Sequence, residues 1–272
     1  MAVDEITRGD VARPAGRRWR FAAVLVTVLA LAASGAFAWY LLSGPHRLTF
    51  QDQSQTYQHT VQRVEFDLAA GDITVSPGSA DTVSVQRRLQ YHSDKPTVTE
   101  QWSGDTLKVT SKCPAGEDNC AVHYTVAVPP AVAVQAHTGG GHVTIRDLTG
   151  DIHVETGGGG VRIENATGTV WVRSGGGEIV GIGLRAPTTD AETRGGLVDL
   201  TYAGVPKSVR AVTAGGDVRV GVPQSPGSGP DGYQVQADTV AGTRQVSVKE
   251  DSAGQHVVTA HSGGGDVMVY YV

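Results

Sequence analysis

Residues 137–181 read HTGGGHVTI, RDLTGDIHV, ETGGGGVRI, ENATGTVWV, RSGGGEIVG when written nine to a line. An aliphatic residue recurs in one column at Val143, Ile152, Val161, Val170 and Ile179. A second column, two residues later, holds Ile145, Val154, Ile163 and Val172. Side chains at i and i+2 share one face of an extended strand. The glycines and polar residues between them are turn material. Each unit therefore reads as one short strand and one tight turn, and two units make a coil of 18 residues. Glycine triplets opening at Gly139, Gly157 and Gly175 recur at that spacing. With looser spacing the beat returns at Gly195-Gly196, Gly215-Gly216 and Gly263-Gly264-Gly265, and an earlier echo is Gly71-Asp72-Ile73-Thr74-Val75. Coils of this kind stack with their aliphatic residues inward, so the expected fold class is all-β, a β-solenoid repeat domain.

The outward residues test the period. If 18 residues return the chain to the same face, Arg146 lies beside Glu164 and Glu155 beside Arg173, two pairs of opposite charge. Outside this block the beat loosens. Residues 61–128 carry longer alternating runs, such as Val83 to Leu89 and Tyr124 to Val128, read either as wider coils or as a capping sheet. The stretch PQSPGSGPDG (223–232) reads as a loop. Tyr270-Tyr271-Val272 is expected to close the final coil.

The start of the chain has a different character. Residues 1–20 are polar and end in Arg13, Arg17, Arg18 and Arg20. Phe21 to Leu42 then carries no charge. Its helical length of about 33 Å covers a bilayer core of about 30 Å. The arginines precede the span, so the positive-inside rule expects a cytoplasmic tail over 1–20, a transmembrane anchor over 21–42 and an extracytoplasmic remainder. That remainder divides into a polar linker, 43–60, and the β-repeat domain, 61–272. The expected location is the plasma membrane, crossed once with the N-terminus inside. Ala36-Phe37-Ala38 offers a signal-peptidase site. The apolar stretch runs four residues beyond Ala38, which favours an uncleaved anchor.

Composition excludes several classes. The net charge of −5 argues against nucleic acid as a partner. Cys113 and Cys120 are the chain's two cysteines. Two thiols fall short of the four ligands of a structural zinc site. Outside the cytoplasm they are expected to form a disulfide across a loop. The glycine triplets lack the following helix and Lys-Ser/Thr of a phosphate-binding loop. They also lack the aspartate column of calcium-binding nonapeptide coils, because Arg162 and Thr144 occupy the position. The acids Asp147, Asp151, Glu155, Glu164 and Glu178 interleave with arginines as on a solvated face, rather than forming a placed acid/base pair.

The apolar N-terminal segment, the strand end Val128-Pro129-Pro130 and the recurring Thr/Ser-Gly-Gly-Gly-x-Val-x-Val turns resemble the DUF4097 or "putative adhesin" family of bacterial glycine-rich β-repeat envelope proteins. The resemblance covers roughly residues 61–272 and is most specific over 123–222. It implies fold and location, and brings no catalytic residues.

Trp171 points outward by the strand alternation, with His153, Glu155 and Arg173 on the same face. An exposed aromatic on a flat β-face suits stacking on sugar rings; packing beneath a loop such as 183–194 is the reading the sequence favours slightly. His153, Trp171 and Arg173 are thus the candidate surface contact. No catalytic, cofactor-binding or metal-binding residues are expected. The expected function is a non-enzymatic, membrane-anchored envelope protein that binds cell-wall polymer, another surface or a membrane protein. The rival classes are an accessory of an envelope-stress sensor acting through a membrane partner, and a polysaccharide-active enzyme.

Overall fold

The computed structural model describes residues 48–117, 119–224 and 232–272, together with Ser34. The tail expected over 1–20, the span expected over 21–42 apart from Ser34, and most of the loop expected over 223–232 lie outside the described residues. No helix among the described residues is long and apolar enough to cross a membrane. The chain divides into two units, Met1–Arg47 and Leu48–Val272, and the second carries all that follows.

It is all-β. The strands are β1 (Thr49–Tyr57), β2 (Arg63–Leu68), β3 (Ile73–Pro77), β4 (Val83–Tyr91), β5 (Thr97–Ser103), β6 (Thr106–Lys112) and β7 (Ala121–Val128). There follow β8 (Ala133–Thr138), β9 (Val143–Arg146), β10 (Ile152–Thr156), β11 (Val161–Glu164), β12 (Val170–Ser174), β13 (Ile179–Leu184) and β14 (Thr188–Thr193). The last seven are β15 (Val198–Tyr202), β16 (Ser208–Thr213), β17 (Val218–Val222), β18 (Tyr233–Thr239), β19 (Arg244–Val246), β20 (His256–Ser262) and β21 (Val267–Tyr271).

These strands form two mixed sheets. The first has 11 strands, in the order β1-β4-β7-β3-β9-β11-β13-β15-β17-β21-β19. The second has 10, in the order β18-β20-β16-β14-β12-β10-β8-β2-β6-β5. From β8 to β17 consecutive strands alternate between the sheets, and β8 through β15 each pair in parallel with the strand two places on. The nine-residue beat explains this. Val143 pairs with Val161 and Ile152 with Val170, each 18 residues away. Both aliphatic columns of the repeat are buried between the sheets. Burying such a side chain contributes about 1.5–3 kcal/mol, so a strand slip that turned a column outward would forfeit several.

The turns have their own logic. Thr156 Oγ1 accepts from the Gly159 N–H at 3.1 Å and donates to the Gly141 carbonyl of the preceding turn at 3.1 Å. Ser174 does the same with Gly177 and Gly159, at 2.9 and 3.0 Å. Thr193, Thr213 and Ser262 repeat the pattern. Each hydroxyl is buried, and each satisfies two backbone groups that the turn would otherwise strand away from water. The third glycine of each turn sits directly on that carbonyl. A Cβ on Gly159 would lie 1.8 Å from Gly141 O, and one on Gly177 2.1 Å from Gly159 O. A Cβ on the middle residue, Gly158 or Gly176, would meet nothing within 4 Å. The Thr/Ser-Gly-Gly-Gly signature is therefore a stitch between layers as well as a turn.

The ends depart from the sequence reading. Residues 43–60 were expected as a polar linker, but Thr49–Tyr57 is a strand, paired antiparallel with β4 along its whole length. None of its nine residues is buried, as suits an edge strand. The strands of residues 61–128 make a cap: β4 pairs antiparallel with β7, and β5 with β6. Between the two sheets of the cap lies a polar cluster on Glu100, whose side chain is only 7% exposed. It accepts from Arg87 Nη1 at 2.7 Å, from the Tyr57 hydroxyl at 2.5 Å and from the Tyr124 hydroxyl at 3.4 Å. At the other end, β20 and β21 do not close the stack. They insert between β16–β17 and β18–β19, so β18 and β19 are outermost. Cys113 and Cys120 form the expected disulfide across the β6–β7 connection.

Candidate surface contact site

The outer face of the second sheet carries two rows of side chains, set by strand register. One runs Gln135, His153, Trp171, Asp190, Arg210, and the next runs His137, Glu155, Arg173, Glu192, Val212. Parallel strands about 4.8 Å apart bring like positions into contact. Accordingly the His153 ring stacks on the Trp171 indole, 3.9 Å between centroids and 8° from parallel. Arg173 Cζ lies 4.3 Å from the indole centroid, a cation–π contact. The three residues picked out from the sequence thus form one contiguous group. The segment 183–194 does not cover it as a loop; residues 188–193 are β14, which continues the sheet beside Trp171.

Arg173 is held firmly. Its two terminal nitrogens fork onto Asp190, at 3.0 Å to Oδ1 and 2.9 Å to Oδ2. Arg210 Nη1 bonds the same Asp190 Oδ1 at 2.9 Å and Glu192 Oε2 at 2.9 Å. Burial works against the charge on Asp190, but hydrogen bonds from Arg173 and Arg210 outweigh it and hold its pKa below the ordinary value. Of the two charge pairs expected from the period, Arg146 and Glu164 meet at 3.3 Å. Glu155 and Arg173 are register neighbours, yet the arginine turns to Asp190. Glu155 lies instead 3.6 Å from His137 Nδ1 and from His153 Nε2.

Two shallow troughs flank His153. One, of about 320 Å³, is lined by Arg63, Gln135, Asp151, Thr169 and Trp171. The other, of about 270 Å³, is lined by Glu65, Asp67, Lys108, His137 and Glu155. A larger depression of about 810 Å³ lies on the first sheet at the cap, bordered by Phe50, Asp52, Arg88 and His123. Arg88 forks onto Asp52 there, at 2.7 and 3.2 Å, and His123 Nδ1 lies 3.1 Å from Asp72.

Chemically, the second-sheet face is a rigid mosaic of planar and charged groups. Asp190 and Glu192 are tied to arginines, and Asp151 Oδ1 accepts the Thr169 N–H at 2.8 Å. No group of three or more His, Cys, Asp or Glu side chains among the described residues is placed to hold a metal ion. One acid escaped the sequence reading. Asp199, on β15 of the first sheet, has an oxygen without a hydrogen-bond partner, and burial raises its pKa despite Arg219 nearby. Nothing in its Val-Asp-Leu-Thr-Tyr context signals this, because its burial comes from neighbouring strands.

Against known proteins, no family model and no curated protein matches the chain. Solved structures do. A "putative adhesin" from Bacteroides fragilis is 14% identical with a TM-score of 0.50, covering 84% of this chain and 98% of that one. A "putative cell adhesion protein" from Clostridium sporogenes is 10% identical with a TM-score of 0.36, covering 82% and 100%. At 14% identity the likeness to the Bacteroides fragilis protein is one of fold.

Proposed function

We propose that this chain is an adhesin-like envelope protein of the glycine-rich β-repeat kind: a β-solenoid with an antiparallel cap, non-enzymatic, anchored by residues 21–42 with its β unit outside the membrane. Its task is to lay the outer face of the second sheet against cell-wall polymer or another surface. The observation that carries this reading is the pre-ordered group His153–Trp171–Arg173 between two shallow troughs. Its side chains are fixed by stacking and by bidentate ion pairing, so little rotamer entropy remains to be lost on binding. Planar rings beside charged forks suit the mixed apolar and polar faces of sugar polymers. Asp190 and Glu192 are occupied by arginines and Asp151 by backbone, which suits binding better than hydrolysis. The disulfide is consistent with an extracytoplasmic site.

The test is co-sedimentation of the purified protein with isolated cell walls and intact cells, against the unfolded protein as control. Saturable binding that needs the folded protein, weakened at least about fivefold by Trp171→Ala, an order of magnitude typical of a central aromatic contact, is expected. Binding equal to the unfolded control would overturn the surface-binding reading and favour an accessory that acts on a membrane partner.

A further inference from the structure

Among the described residues the two sheets end in four edge strands, β1, β19, β5 and β18. An open edge is a template for pairing unless it is short, charged or covered. β19 has only three residues. β18 is covered: Tyr233 exchanges backbone hydrogen bonds with Lys249 and Asp251, both at 3.0 Å, and Arg244 Nε donates to Ala237 O at 2.9 Å. β5 follows Pro96 and carries Glu100 turned inward, both recognised blunting devices. β1 is different. It has nine residues, Thr-Phe-Gln-Asp-Gln-Ser-Gln-Thr-Tyr, without proline or lysine. Its one charge, Asp52, is bound to Arg88 of its own chain. All nine residues pair with β4 on one side.

We propose that β1 pairs antiparallel with β1 of a second copy about a two-fold axis at Gln53, joining the first sheets of the two copies. The sequence of β1 is close to symmetric about that point. Gln51 then faces Gln55, Gln53 faces its own copy, Asp52 faces Ser54, Phe50 faces Thr56 and Thr49 faces Tyr57. The three glutamines form a ladder on one face, and no two like charges oppose each other. Antiparallel partners must share a face, so the nearest alternatives are two residues away. Centring on Asp52 sets two carboxylates opposite one another, which destabilises a cross-strand pair. Centring on Ser54 drops Thr49 and Phe50 from the pairing. A two-fold contact of this kind uses the same patch on both copies and closes on itself.

The proposal is tested by sedimentation velocity on the full chain in a mild detergent, with far-UV circular dichroism confirming the fold of each variant. The wild-type chain is expected to be dimeric at micromolar concentration. Ser54→Asp sets a carboxylate opposite Asp52 twice and is expected to weaken the dimer at least about tenfold, two repulsive pairs at roughly 0.2–1 kcal/mol each plus lost packing. Ser54→Arg sets an opposite charge there and is expected to match or tighten the wild-type dimer. A monomeric wild-type chain overturns the proposal. So does a dimer of equal strength in both variants, which points to association through another segment.

Discussion

Single atoms decide which glycines matter. The third glycine of each turn is required by the carbonyl of the layer below, whereas the middle one faces open space. Gly159→Ala is therefore expected to destabilise the protein by about 2–3 kcal/mol through overpacking against backbone. Gly158→Ala, with no neighbour to meet and no left-handed backbone to strain, is expected to be neutral or stabilising by up to about 1 kcal/mol. Chemical denaturation of the two variants checks the contrast; equal effects would refute the stacking account. The sequence displays all three glycines alike, and a turn reading treats them alike. Their difference comes from the layer beneath. The first glycine is also tight in several turns, with a Cβ on Gly157 lying 2.2 Å from Gly139 O, yet Arg194 and Ala214 stand at that position in two others, whereas the third position is glycine in every one of these turns.

At the level of elements, the nine-residue beat of strands is legible in the sequence, whereas residues 61–128 leave open wider coils or a capping sheet. A narrow core between two parallel sheets demands the same aliphatic spacing in every layer, so the 18-residue period is written openly over residues 137–181. The cap depends instead on antiparallel pairings between distant segments, such as β1 with β4, and these leave no periodic trace. Its lock is the Glu100 cluster. Burial, then the hydrogen bond and charge of Glu100, push the Tyr57 pKa up to about 12. A tyrosine pKa raised in the folded state means the folded protein holds that proton more tightly than the unfolded one. The stabilisation is whole below about pH 10, the ordinary tyrosine value, and is lost as pH rises toward 12. Stability measured from pH 9 to 12 is expected to fall more steeply in the wild-type protein than in Tyr57→Phe. Parallel profiles would remove Tyr57 from the lock.

For the whole molecule, connectivity and spatial order part company at the C-terminal end. The register spacing grows from 18 residues to 19 at Val170–Thr189 and 20 at Thr189–Val209, and then β16 pairs with a strand 49 residues on. The excess holds β18 and β19, whose only ladder partners among the described residues are β20 and β21. Ending the chain at residue 255 is therefore expected to cost two layers. Hydrogen exchange should show protection lost from β16 through β19 and kept in β8 through β12, because stability in stacked repeats passes between neighbours. Retained protection in β18 would show that it has support of its own. The expectation that Tyr270-Tyr271-Val272 closes the stack followed sequence order, and nothing local reveals that the last strands fold inward.

That insertion makes the outermost strands depend on strands that come after them in the chain. β18 and β19 are made before the two strands that hold them, and the place of β20 and β21 beside β16 and β17 stays vacant until residues 256–271 arrive. A product cut short by even the last two strands is not a slightly shorter version of the protein. It is a stack with a raw end and two strands adrift, and such exposed segments are preferred sites of proteolysis.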